Sequence, residues 1–539
     1  MRNLKKAGAL LLAATMVVSC FTACGGNTGS GSGNNDGGTT GDTAKYPIQT
    51  DVTVSYWMEL NGNVAANFSN MGDTVLAQEL QKQTGIKVEF QHPAVGQVSE
   101  QFNLLLGKTE LPDVIEYNWL GFSGGPEKAI KDGVIIELND VIDKWCPNLK
   151  AYLKANPTID KMIKTDDGKY YCFPFIRGGD MLLTSMGPMI RKDYLDKFNL
   201  QVPKTIADWE NVLTTFKQNG IEVPFTYQWS SGGLTNNNPF AYAYGVTREF
   251  FLDNNGKVVY GGVADGYKEY LKTMNKWYEA GLIDPDLITL TGDQVTSKVT
   301  SGKAGASFAY CGSGLGNWTT AGKSTNKDFL LVACPYPTVN GGKPEMGQRD
   351  NNYIGTGSAA ISTTCKNVEV VARLLDYAYS KEGSTLFNFG AEGQSFTMNN
   401  GVATFTDEVL KNPKGLSMAH ALSNYIRAHY NGPFVQDEAY SMQYYQTQEQ
   451  KDALAIWSDT NMGKHAMPPV TSTPEESKEM SQKLTDITKY RDQQTVAFIK
   501  GTTKLTDAEW DKYVKQINDL GLARVLELKE TALARYNKR

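Results

Sequence analysis

The sequence predicts an α/β protein of two large lobes that ends in a helical segment, and three observations predict it. Strand-like and helix-like stretches alternate from residue 51 to residue 119. A chain of 539 residues is too long for one hydrophobic core and natural for two. Near the end, Met480, Leu484, Ile487 and Tyr490 recur at helical spacing.

Each element has its own signal. Val52, Val54 and Tyr56 alternate along Asp51–Trp57, the period of a strand. Thr74–Thr84 carries Val75, Leu76 and Leu80 and meets Gly85, which predicts a helix and its stop. Ile86–Phe90 reads as a second strand, Val98–Gly107 as a helix, and Leu111–Trp119 as a third strand ending in polar and aromatic residues. In such sheets ligands bind beyond the carboxyl ends of the strands, which places Trp57, Glu59, Tyr117, Asn118 and Trp119 at one rim. Further on, Thr205 and Asp208 have capping-box spacing before a helix whose face is Trp209, Leu213 and Phe216. Another helix is expected from Tyr267 to Ala280, and Thr506 with Glu509 opens one more after Gly501.

The amino terminus has a different chemistry. Arg2, Lys5 and Lys6 precede an apolar run from Ala7 to Val18, then Phe21-Thr22-Ala23-Cys24-Gly25-Gly26. This is a secretory leader with small residues before its cleavage point, and it resembles the lipobox of bacterial lipoproteins. The thiol of Cys24 is where a lipid would be joined. Val17-Val18-Ser19-Cys20 is a competing match, but the Gly-rich tail directly after Cys24 favours Cys24. Residues 1–23 are thus read as leader, and 24–45, almost all Gly, Asn, Ser, Thr and Asp, as a flexible tether.

Charge and cysteine use exclude several classes. The chain carries −5, and loss of Arg2, Lys5 and Lys6 takes it to −8. Nucleic acid is therefore not an expected partner, because phosphate binding needs a basic surface. Cys146, Cys172, Cys311, Cys334 and Cys365 are scattered and odd in number, which indicates neither a disulfide framework nor a zinc site. The four histidines are isolated. Gly316 to Ser324 has five residues between its glycines where a phosphate loop has four, and Gly355-Thr-Gly357 precedes a strand instead of opening a helix.

A series of short motifs carries a resemblance. They are Leu111-Pro-Asp-Val, Asp167-Gly-Lys-Tyr-Tyr-Cys-Phe-Pro174, Ile190-Arg-Lys-Asp-Tyr-Leu195 with Pro203-Lys-Thr205, Gly281-Leu-Ile-Asp-Pro285, Ser301-Gly-Lys-Ala-Gly-Ala306, Cys365-Lys-Asn-Val-Glu369, Phe389-Gly-Ala-Glu-Gly393 and Trp510-Asp-Lys-Tyr513. In this order the chain resembles the family 1 extracellular solute-binding lipoproteins of ABC sugar importers, closest to the LipO-like branch. The resemblance implies a two-lobed, periplasmic-binding-protein-like fold of type II, with hinge strands. It implies an N-lobe of 46–176 plus 357–400 and a C-lobe of 177–356 plus 401–539. It also implies an oligosaccharide ligand between the lobes, an ABC permease as partner, a lipid anchor on the outer face of the membrane, and a monomer without cofactor. Relatives often carry a calcium loop where this chain has Lys217-Gln-Asn-Gly-Ile-Glu-Val-Pro224, which lacks the necessary series of oxygen ligands, so no metal is expected there.

Sugars have apolar ring faces and hydroxyl edges, so a sugar site needs flat aromatics and hydrogen-bonding side chains. Trp119, Trp229 and Trp318 lie in Gly/Ser/Asn-rich surroundings and are the expected stacking rings, whereas Trp209, Trp277 and Trp510 sit at helical spacing and are expected in the core. Arg177, Asp180, Arg349, Asp350 and Tyr353 lie at the expected lobe crossings, either as ligand contacts or as interlobe ion pairs. Two other readings stay open at this level: a binding protein for a peptide or other solute, and a surface glycan-degrading enzyme, although no motif points to its pair of carboxylates.

Overall fold

The computed structural model describes residues 45–229 and 238–539. Cys24, the leader and almost all of the tether lie outside the described residues, as do the Ser/Gly residues that follow Trp229. Two large hydrophobic cores organise the body.

The first core is built on β1 (Thr53–Trp57), β2 (Lys87–Gln91) and β3 (Val114–Tyr117). β1 lies between the other two and runs parallel to both. Helices Val75–Thr84 and Val98–Leu106 make the crossovers. Thr74 caps the first of these through its side chain, and Gly85 ends it at φ +75°, a backbone state that costs glycine little. The Leu-Pro-Asp motif has a structural task here. Asp113 accepts from the backbone N–H and the hydroxyl of Ser55 at 2.9 and 2.7 Å, which fastens the start of β3 to β1.

The chain then crosses at β4 (Ile176–Arg177). The second core follows, with a sheet whose members are β5 (Met186–Arg191), β6 (Val223–Thr226), β9 (Ala304–Tyr310) and β10 (Leu331–Ala333), in the order β10-β5-β9-β6. A small hairpin, β7 (Phe250–Leu252) with β8 (Val258–Tyr260), sits apart from it. The capping box at Thr205 is formed in both directions, at 3.0 and 2.9 Å. Trp209, Leu213 and Phe216 are buried on one face of its helix, Ile206–Gln218.

After a second crossing, β11 (Ser358–Ile361) joins the first sheet antiparallel to β3. The chain then stays in the first lobe longer than expected. Ala403, Phe405, Val409, Leu422, Ile426, Phe434 and Tyr440 all belong to the first core, which includes the hairpin β12 (Phe396–Asn399) with β13 (Val402–Phe405). The third crossing therefore falls after β14 (Val435–Gln436), which pairs with β4, and not near residue 400. The reason is apolar surface: the segment after 400 carries large side chains that only the first core covers.

The remaining chain is mainly helical and packs on the second lobe. Pro474–Ile499 buries Met480, Ile487, Phe498 and Ile499, and Asp507–Asp519 and Leu522–Lys538 follow it. Cys146, Cys172, Cys311, Cys334 and Cys365 are unbridged and buried. Among the described residues no helix is long and apolar enough to cross a membrane, and no cluster of three His, Cys, Asp or Glu side chains is placed to hold a metal ion.

Candidate functional site

The carboxyl ends of β1 and β3 open onto a hollow of about 790 Å³. Glu59, Glu116, Tyr117 and Asn118 enter it from those ends, and the turn before helix Val98–Leu106 forms one wall. Arg427, Tyr430 and Asn431, from the turns between helix Met418–Leu422 and β14, form another. Tyr430 and Asn431 also line a second hollow of about 290 Å³, so the two hollows share a wall. This second hollow takes Phe175 and Arg177 from the first crossing, Tyr310 and Ser313 from the end of β9 and beyond, and Tyr440, Tyr444 and Tyr445 from the third crossing. Its walls thus come from both lobes and from the segments that join them.

A buried ion pair holds the shared wall. Arg427 donates to both oxygens of Glu116, at 2.9 and 2.5 Å, and Tyr56 donates to the same carboxylate at 2.8 Å. Arg427 also bonds the carbonyl of Asn431, which draws the 427–431 turn against β3. Close approach is possible because Gly357 has no side chain: a Cβ there would lie 2.2 Å from Cβ of Asn431.

Several polar atoms around this cleft are buried and have no protein partner. They are Nη1 of Arg177, Oγ1 of Thr356, Nε of Arg427, both ring nitrogens of His429 and the hydroxyl of Tyr440. Buried polar atoms are costly to leave unpaired, about 1–3 kcal/mol each. Burial pushes the His429 imidazole down to about 3, which keeps it neutral, with one nitrogen to donate and one to accept. Partial desolvation, and then the neighbouring Glu116, hold the Glu59 carboxyl above its usual range.

The side chains expected from the sequence divide sharply. Glu59, Tyr117, Asn118 and Arg177 line the cleft. Asp350 pairs with Arg177 and Asp180 with Arg349, each at 3.1 Å, so these four tie the first crossing to the second. Tyr353 is fully buried, with its hydroxyl 2.9 Å from that of Tyr171.

The tryptophans are placed differently from the expectation. Trp57 is buried against Phe102, because β1 is covered on both faces. Trp119 has no exposed surface; it sits among Phe102, Phe122 and Tyr117, and its indole N–H donates to the carbonyl of Ile115 at 3.1 Å. Trp318 lies on a helix, Asn317–Lys323, and donates to Oγ1 of Thr296 at 3.1 Å. Trp229 packs beside Tyr227 and under the Arg248 guanidinium. Small polar neighbours let the chain turn tightly around these rings, and their apolar area goes to the cores. Trp209, Trp277 and Trp510 are buried as expected.

Aromatic surface in the cleft comes instead from tyrosines: Tyr117, which the sequence placed at the rim, and Tyr430, Tyr440 and Tyr444, which sequence reasoning missed. Tyr117 stacks on Phe102 with ring centres 3.7 Å apart, and Tyr440 stacks on Tyr444 at 5.6 Å. Tyr440 and Tyr444 are four residues apart, the spacing of an ordinary core face, so periodicity could not single them out. The run His429-Tyr430-Asn431-Gly432-Pro433 did carry a signal, polar and aromatic residues beside a Gly-Pro turn.

Comparison with known proteins agrees with this architecture. Residues 29–385 match the family of bacterial extracellular solute-binding proteins. The chain is similar to a fructooligosaccharide ABC transporter substrate-binding protein, FusA, of Streptococcus pneumoniae, at 26% identity over 98% of this chain and 97% of that one. It is also similar to the lipoprotein LipO of Bacillus subtilis, at 25% identity over 63% of this chain and 67% of that one. The solved structure of the alginate-binding protein AlgQ2 without calcium superposes with a TM-score of 0.72 at 24% identity, over 92% of this chain and 99% of that one, and shares its two-lobed fold. With the family match spanning well over half of the sequence, the chain belongs to the bacterial extracellular solute-binding proteins.

Proposed function

We propose that this protein is the extracytoplasmic receptor of an ABC sugar importer, capturing an oligosaccharide between its lobes and delivering it to a membrane permease. The observation that carries the reading is the set of unpartnered polar atoms on Arg177, Thr356, His429 and Tyr440, set beside Tyr117, Tyr430 and Tyr444 in two adjoining hollows. Hydroxyl edges satisfy such atoms, and sugar ring faces cover such tyrosines. FusA, similar over nearly the whole chain, is named for fructooligosaccharides, and this supports the same general class of ligand. Glu59, Asn118 and Arg177 are the hydrogen-bonding side chains proposed to meet the ligand first.

In this reading the protein returns its ligand unaltered and is not an enzyme. A thermal-shift screen over neutral and acidic glycans and over peptides tests the class of ligand. A glycan is expected to raise the melting temperature and to be recovered intact; stabilisation by peptides alone, or release of glycan fragments, contradicts the proposal. Tyr444→Ala is expected to weaken binding of the best glycan by about 1–3 kcal/mol, by analogy with stacking of other rings on aromatics, or roughly 5- to 150-fold. Isothermal titration of the folded variant measures it, and wild-type affinity would remove Tyr444 from the site.

The protein is further proposed to be held at the membrane by a lipid on Cys24. Cys24→Ala should release it into the medium or leave unprocessed precursor. Acylation that survives this change and disappears with Cys20→Ala would move the anchor to Cys20.

A further inference from the structure

The charges around the cleft say more about the ligand than its being a sugar. Two arginines line it, and each is committed to a carboxylate: Arg427 to Glu116 and Arg177 to Asp350. Among the described residues no lysine lines either hollow. The segment 230–237, outside the described residues, has no charged residue in its sequence and cannot add a cation. Against this stand Glu59 and Glu100, both exposed on the wall of the larger hollow and neither in an ion pair. His429 is neutral, so the floor adds no positive charge.

An anionic ligand needs donors or cations left over to receive it, and a like charge juxtaposed to it costs several kcal/mol. Among the described residues this cleft leaves Glu59 and Glu100 as unpaired carboxylates and no unpaired cation; its leftover guanidinium N–H groups, Nη1 of Arg177 and Nε of Arg427, belong to cations already matched by Asp350 and Glu116. Its unpartnered atoms are also of mixed kind. A guanidinium nitrogen can only donate, a hydroxyl or a neutral imidazole donates and accepts, and a carboxylate only accepts. The complement of such a set is a group that both donates and accepts, which is a sugar hydroxyl and not a uronate carboxylate.

We infer that the cleft is built for neutral glycans and rejects uronate-bearing ones, with Glu59 and Glu100 as the residues that enforce the discrimination. The inference rests on the glycan reading above and narrows it. The experiment is calorimetric titration of the tether-plus-body chain with two sets of short oligosaccharides. One set is neutral: kestose, nystose, raffinose and maltotriose. The other is uronate-bearing: trigalacturonate and an alginate trimer.

The expected result is binding by at least one neutral sugar, with every uronate at least about 100-fold weaker. The gap should narrow as ionic strength rises and screens the repulsion. In the double variant Glu59→Gln with Glu100→Gln, uronate affinity itself should rise by about tenfold or more, a readout separate from any loss of neutral-sugar affinity caused by removing the Glu59 contact. A uronate that binds as tightly as the best neutral sugar overturns the inference and leaves the glycan reading standing. A uronate affinity that the double variant does not raise removes the two glutamates from the discrimination. Binding by neither set overturns the glycan reading and the inference with it.

Discussion

Arg427→Ala is expected to destabilise the first lobe by about 3–5 kcal/mol. The side chains of Arg427 and Glu116 are only 6% and 8% exposed, so removal of the cation leaves a carboxylate that is out of water and held by Tyr56 alone. The loss does not measure what the pair contributes. Replacing both partners with apolar side chains of similar size, Arg427→Met with Glu116→Leu, should recover most of the stability, since two desolvated charges go together. Arg427→Lys should recover less, because an ammonium cannot bond both carboxylate oxygens and the Asn431 carbonyl in the guanidinium's fork geometry. Denaturant unfolding of the four proteins, with glycan binding measured alongside, decides it. If Arg427→Ala unfolds with the wild type, the pair is solvated and the shared wall of the cleft is not held in the way described.

Trp119→Ala is expected to cost about 3–5 kcal/mol of folding stability, in the range for large aromatic deletions from a core. The ring is enclosed by Phe102, Tyr117 and Phe122, and its N–H is already paired with Ile115. Read from the sequence alone, the same substitution predicts a stable protein with weak sugar binding. The two expectations separate cleanly in one experiment. Scanning calorimetry should show an early transition for Trp119→Ala, whereas Tyr444→Ala should melt closer to wild type and lose affinity. A Trp119 variant that melts with the wild type but binds poorly would return the indole to the ligand.

Sheet, helix and lobe number were legible because they depend on patterns local in the chain. Helix Val75–Thr84 follows from apolar spacing, a threonine cap and a glycine stop, all within a dozen residues. β1 and β3 end where polar and aromatic residues begin, so Glu59, Tyr117 and Asn118 could be placed at a rim before any contact was known. The motif order also carried family membership, since it needs no three-dimensional information.

Which polar and aromatic groups face one another depends on long-range packing. Arg427 and Glu116 are 311 residues apart, and neither is unusual in its own neighbourhood. Tyr444 has core spacing and stays half-buried on a cleft wall, while Trp119 and Trp318 have loop-like neighbours and are buried. Local composition reports how a chain can bend, but burial depends on what the rest of the chain brings to cover a ring. The third crossing was misplaced for the same reason: residues 401–440 pack on the first core, a choice made by long-range apolar contact and by the pairing of β14 with β4. Local pattern carried the two-lobed plan and one rim of the cleft; the side chains that complete it are set by chain segments hundreds of residues apart, where no periodicity reaches.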